Sequence, residues 1–146
     1  MTPVIRTVVP AALTVTLVVI GGLHLVWAFS PWPLGDKVSF TRTVLGNDSG
    51  RMPPPALSAL VGLTLIAGAV LVLMVNETVP GLGPGRLRTL GCYGLALVLL
   101  GRGLGGFLLN AGATSEFQRW NNALYSPLCV VLGLLGGVVA VAASKR

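Results

Sequence analysis

The sequence predicts an all-α protein, a four-transmembrane-helix bundle of up-down topology with both termini on the same side. Three observations carry that prediction. The chain is 53% hydrophobic and only 10% charged, against about 25% charged for an average soluble domain. Its mean hydropathy is +0.84, and a soluble globule of 146 residues has too much surface for its volume to hide so much apolar area. Finally, the apolar residues gather into four runs close to the ~20 residues that cross a bilayer. These runs are residues 8–29, 56–75, 89–109 and 125–143, and together they make a single integral membrane domain over residues 1–146.

The first run follows a short polar start carrying Arg6. A basic start and an apolar middle also describe a signal peptide, but no A-x-A-like cleavage site follows, so an uncleaved span is expected. Pro10 is placed in the first turn, where its missing N–H matters least. Residues 30–55 form the longest connection. Pro31, Pro33, Gly35, Gly46, Asn47, Asp48, Gly50 and Pro53-Pro54-Pro55 interrupt any long helix there. Loops of this length are either functional or disordered, with room for one short amphipathic segment over residues 38–45. Trp27 and Trp32 suit the membrane–water interface. The prolines at 53–55 stop where the second run starts. Residues 76–88 form a tight polar turn, and residues 110–124 form a polar connection to the last run.

The formal charge of +6 does not point to nucleic acid, because the basic residues are scattered at the ends of apolar runs instead of forming a patch. Bases so placed set topology. Arg6, Arg86, Arg88, Lys145 and Arg146 fall on the side of the termini, and Lys37, Arg42, Arg51 and Arg119 on the other. That favours cytoplasmic termini. Cys92, Cys129 and His24 lie on three different runs, which argues against a metal site, and the absence of a CxxC pair argues against dithiol redox chemistry. No cofactor is expected.

Arg102 lies inside the third run, and a charge at membrane depth costs a few kcal/mol unless it finds water or a partner. At ~1.5 Å per residue, Arg102, His24 and Cys129 all fall at similar depth below the loop-side ends of their runs. Gly101/Gly105 and Gly133/Gly137 are GxxxG pairs, which predict that the third and fourth spans pack on these faces and turn Arg102 inward toward Ser126 and Cys129. Three readings of Arg102 stand: it snorkels to the interface, it pairs with Glu116 or a backbone carbonyl, or it binds a ligand. His24 reads either as a hydrogen-bonded packing residue or as a proton carrier, and Cys129 as a small buried hydrophobe.

Two strings carry a resemblance. One is Gly22-Leu-His24-Leu-Val-Trp27-Ala28; the other runs from Phe117 to Tyr125-Ser126-Pro127-Leu128-Cys129. Together they resemble a family of small bacterial four-span membrane proteins known as domain of unknown function 3995. The resemblance implies four spans and a bacterial inner membrane. It implies no activity, so no catalytic residue is carried over. Asn121-Asn122 stands where a charged pair is expected, so no charge-based role is carried to it.

The expected function is therefore that of a non-enzymatic helical module or subunit, whose partners are the lipid bilayer and other membrane proteins or a second copy. The alternative is a small-molecule or lipid-binding protein, an enzyme included. Its outer-leaflet pocket would be lined by His24, Trp27, Arg102, Glu116, Tyr125, Ser126 and Cys129. A proton pathway ranks last, because few polar residues continue toward the other end.

Overall fold

In a computed structural model describing residues 2–145, every regular element is helical. Four helical segments are long and apolar enough to cross a membrane: Val4–Trp27, Pro55–Val75, Gly85–Leu108 and Ser115–Ser144. Their most apolar stretches are only 22%, 28%, 22% and 39% buried within the chain. Large apolar side chains such as Val15, Val19, Leu60, Leu63, Leu97 and Val98 thus face outward, and lipid is the solvent that accommodates them.

The first segment is longer than the hydropathy run suggests. A wide i→i+5 turn, Val4–Val8, leads without a break into α1, Val9–Trp27. Pro10 lies in the first turn of α1, as expected, but the wide turn carries the helix on ahead of it. Its ring has no N–H to give the carbonyl of Arg6, so the ladder widens there. Asn76 at the end of α3 supplies the missing donor, with its Nδ2 3.0 Å from the Arg6 carbonyl oxygen. The last segment repeats the pattern. Helix α5, Ser115–Trp120, passes through the wide turn Asn121–Tyr125 into α6, Ser126–Ser144, which has Pro127 in its first turn. Most of the polar connection expected at 110–124 is thus helix.

Residues 30–55 carry short helical turns. Asp36 caps α2, Lys37–Phe40, with Oδ1 accepting the N–H groups of Val38 and Ser39 at 2.8 and 2.9 Å. The wide turn Thr41–Leu45 follows and ends at Gly46. There φ is +75°, and a Cβ would lie 2.9 Å from Ala113 Cβ and 3.1 Å from Phe117. Only glycine meets both demands at once. Thr114 N donates to Gly46 O at 3.0 Å, and Arg42 bridges Glu116 at 2.7 Å and Asp48 at 3.0 Å. The loop is thus a cap tied onto α5.

Helix α3 is Pro55–Val75 and α4 is Gly85–Leu108. Helices α1 and α3 form one closely packed pair, and α4 and α6 the other. The first pair crosses at Gly21 and Gly62, where a Cβ on either glycine would sit 2.8 or 2.6 Å from the other's carbonyl oxygen. In the second, a Cβ on Gly103 would meet Val130 N at 2.8 Å and Ser126 O at 2.9 Å, and one on Gly133 would meet Leu100 N at 2.9 Å. Small residues let the backbones touch, as membrane helices require. Leu13, Leu17, Val72, Cys92, Leu132 and Val139 close the core between the pairs.

The termini meet at one end of the bundle. Asn76 reaches Arg6 there, and Tyr93 Oη lies 3.5 Å from Ser144 Oγ. This is the terminal end; the capped end is the loop end.

Candidate functional site

The glycines at the α4–α6 contact are not the expected ones. Gly133 is in the interface, but a Cβ on Gly101, Gly105 or Gly137 would meet nothing within 4 Å. Helix α4 buries Cys92, Ala96, Leu99 and Gly103, a stripe at steps of four, three and four residues that follows one helix face. Gly101 and Gly105 lie two positions either side of Gly103, and each residue turns 100°, which carries both to the outward face. Gly106 and Gly136 take the inward places instead, the latter 3.4 Å from Ala96 Cβ by the same measure.

Arg102 is consequently exposed, not turned inward. Its side chain climbs one turn toward the loop end and lies across Gly106, where a Cβ would meet Arg102 Nη1 at 2.5 Å. The same absent Cβ would overlap Ser126 Oγ and stand 3.1 Å from Asn121 Oδ1. Arg102 thus borders a small buried polar knot. Ser126 and Asn121 are both fully buried. Ser126 Oγ donates to Asn121 Oδ1 at 3.1 Å, and Asn121 Nδ2 donates to the Gly106 carbonyl at 2.7 Å. Gly106 is among the last residues of α4, whose carbonyls have no partner within the helix, so Asn121 acts as its C-terminal cap. Hydropathy and charge gave no sign of Asn121. The readable sign was an amide little more than a turn ahead of Ser-Pro at the head of a span.

Glu116 does not meet Arg102; it is held by Arg42. That ion pair raises the Arg42 pKa further above its ordinary value, first through the hydrogen bond and then through the charge of Glu116. Tyr125 Oη donates to Thr43 O at 3.3 Å, and its ring lies 6.2 Å from that of Phe117, so Tyr125 fastens the cap. Cys129 is half-buried on α6.

His24 and Trp27 form a separate place. His24 Nδ1 is 2.9 Å from the Ile20 carbonyl oxygen, which only accepts, so Nδ1 carries the proton of that bond. The His24 ring is 4.9 Å from Trp27, and Trp27 meets Phe40 edge-on at 5.2 Å. Trp27 Nε1 donates to Trp32 O at 2.9 Å. Helices α1 and α4 have no Cα atoms within 8 Å of each other; each packs on α3 and α6 and they occupy opposite corners. His24 and Arg102 therefore do not share one site.

Chemically, the knot is a cap. Ser126 gives its proton to an amide oxygen, which is no base, and the histidine that could activate it lies elsewhere. Among the described residues no three His, Cys, Asp or Glu side chains gather as a metal site would require. Two clefts lie away from these residues. One, about 570 Å³, opens at the terminal end beside Arg86 and Arg88. The other, about 470 Å³, is an apolar groove beside Gly133 and Gly137.

No curated protein and no solved structure matches the chain. A family model described as "Protein of unknown function (DUF3995)" matches residues 17–136, a stretch that runs from the middle of α1 to Gly136 of α6 and holds both the His24–Trp27 string and the Asn121–Ser126 knot. The chain belongs to the DUF3995 family of proteins of unknown function.

Proposed function

We propose that this protein is a non-enzymatic helical module of the bacterial inner membrane, with cytoplasmic termini, and that it works as a subunit by pairing with a second copy through the outward face of α4. One observation carries the reading. A Cβ placed on Gly94, Gly101 or Gly105 would have nothing within 4 Å, and these glycines lie on the face opposite the buried stripe. Gly94 and Gly101 are seven residues apart, the repeat of a left-handed helix pair. Leu97, Val98 and Leu108 flank them at 68%, 70% and 79% exposure, ready to close over such a contact. Arg102 stands at the edge of this face, so in a two-fold pair the two guanidinium groups lie on opposite flanks of the contact.

The cytoplasmic assignment rests on the bases of the terminal end, following the positive-inside rule. The test is oxidative cross-linking in native membranes. Val98→Cys is expected to give a band at twice the 15.0 kDa chain mass, while Leu63→Cys on the exposed side of α3 gives none. Adding Gly101→Leu and Gly105→Leu to Val98→Cys should remove the band. Equal cross-linking from both cysteines, or a band that survives the leucines, would sink the proposal.

A further inference from the structure

The cleft at the terminal end belongs to neither the cap nor the pairing face. It opens between the last turns of α3 and α6 and the first turns of α4. One wall is apolar, formed by Met74, Val75, Leu90 and Ala143; the rim is polar, with Glu77, Arg86, Arg88, Tyr93 and Ser144.

Arg88 is tied in place but not fully satisfied. Its Nη1 donates to Met74 O at 3.1 Å, at the carbonyl end of α3, and the guanidinium lies so close to Gly81 that a Cβ there would overlap Nη1. Its Nε–H is buried and has no hydrogen-bond partner among the described residues. Arg86, two residues earlier, is exposed on the same rim. The two ends of the bundle also differ in how their charges are used. At the loop end, Arg42 is held by both Glu116 and Asp48. At the terminal end, Arg6, Arg86, Arg88 and Lys145 stand against the single carboxylate of Glu77. An excess of guanidinium groups beside an apolar wall, at the level where a span leaves the bilayer, matches a phosphate attached to an apolar body. Gly85 and Arg86, the first two residues of α4, also line the cleft, and the N–H groups at a helix start favour an anion.

We propose that this cleft binds a phosphate group at the membrane interface, with Arg86 and Arg88 as its charged contacts. A lipid headgroup and free phosphate share that chemistry. The test uses the full chain in detergent, with native mass spectrometry following titration by phosphatidylglycerol, by phosphatidylcholine, and by inorganic phosphate. Phosphatidylglycerol is expected to bind more tightly than phosphatidylcholine. R86Q and R88Q should each weaken it about five-fold, the equivalent of about 1 kcal/mol per interfacial base, while R51Q at the loop end leaves it unchanged. Binding of phosphatidylglycerol that survives an excess of inorganic phosphate identifies a lipid headgroup. Retention of inorganic phosphate alone, lost in R86Q, identifies a free anion. R88Q removes the bond to Met74 and can fail to fold, so R86Q decides. Wild-type affinity in R86Q, an equal loss in R51Q, or no retention of either probe would overturn the proposal.

Discussion

Gly103 and Gly101 sit two residues apart on α4, and alanine should act on them with opposite sign. A Cβ at Gly103 would meet Val130 Cγ2 at 2.6 Å, Val130 N at 2.8 Å and Ser126 O at 2.9 Å. Two of those atoms are backbone, so the α6 helix itself must move. Overpacking of this kind costs about 1–3 kcal/mol, and alanine returns roughly 0.5–1 kcal/mol of helix propensity, which leaves a net loss centred on about 1 kcal/mol within a range of about 0–2.5 kcal/mol. At Gly101 the added methyl meets nothing within the chain, so in protein diluted in detergent until it is monomeric, with the α4 pairing face free, only the propensity gain of roughly 0.5–1 kcal/mol remains. Gly106→Ala falls between. The nearest atoms there are Ser126 Oγ and Arg102 Nη1, side-chain ends that can swing aside, at a cost of about one hydrogen bond or ~1 kcal/mol. The assay is reversible unfolding of the detergent-solubilised chain by sodium dodecyl sulfate, followed by far-ultraviolet circular dichroism. The expected order of stability is Gly101→Ala above Gly106→Ala above Gly103→Ala. A Gly101→Ala protein as unstable as Gly103→Ala would refute the assignment of the α4–α6 interface.

Asn121→Ala leaves the Gly106 carbonyl and the Ser126 hydroxyl without partners in a fully buried place, and should cost about 1–3 kcal/mol in the same assay. Asn122→Ala removes only an exposed bond from Asn110 and should stay within ~0.5 kcal/mol; equal losses at the two positions would show that burial of the amide is not what matters. The Asp36 carboxyl is held below its ordinary value, first by the Ser39 N–H and then by the Ser39 hydroxyl. A depressed carboxylate contributes stability that is present above the unfolded value and lost as pH falls through the folded one. Amide exchange at Val38 and Ser39, corrected for the intrinsic pH dependence of exchange, should therefore stay slow down to about pH 4 and lose protection only in more acid solution. A loss of protection already complete at about pH 5, above the ordinary carboxylate value, would contradict the cap.

The four spans were legible because their signal is one-dimensional. Lipid rewards a run of apolar side chains whatever they pack against, so Pro55–Val75 and Gly85–Leu108 depart from the hydropathy runs by little more than one turn. The site was less legible. Counting residues along each helix gives an expected height for His24, Arg102 and Cys129 but says nothing of which of them are neighbours. Nothing in the runs tells that α1 and α4 take opposite corners. Facing failed on α4 for a different reason. Its glycines are distributed around the whole helix, and Gly101/Gly105 match the GxxxG spacing as well as any pair turned inward would. The buried stripe through Cys92, Ala96, Leu99 and Gly103 becomes evident only when α6 is in place. The cap over residues 30–55 was hidden because its ties, Gly46 to Thr114 and Arg42 to Glu116, join residues far apart in the chain.

Two asparagines explain how prolines and helix ends are accommodated at the margins of an apolar bundle. Water hydrogen-bonds an orphan carbonyl at a soluble helix end, but toward lipid the protein must provide the donor. Pro10 frees the Arg6 carbonyl, and the Asn76 amide takes it. The end of α4 frees the Gly106 carbonyl, and the Asn121 amide takes it. Each bond also joins two segments of one closely packed pair: α3 to the start of the α1 segment, and the α5–α6 segment to the end of α4. Each pair is thus held by glycine approach along its length and by one amide at an end, the α1–α3 pair at the terminal end and the α4–α6 pair at the loop end. This arrangement also accounts for Arg102. With Gly103 pressed onto α6 and Gly106 covered by the knot, position 102 turns to the edge of the contact, and the arginine reaches out over the small residue one turn ahead of it.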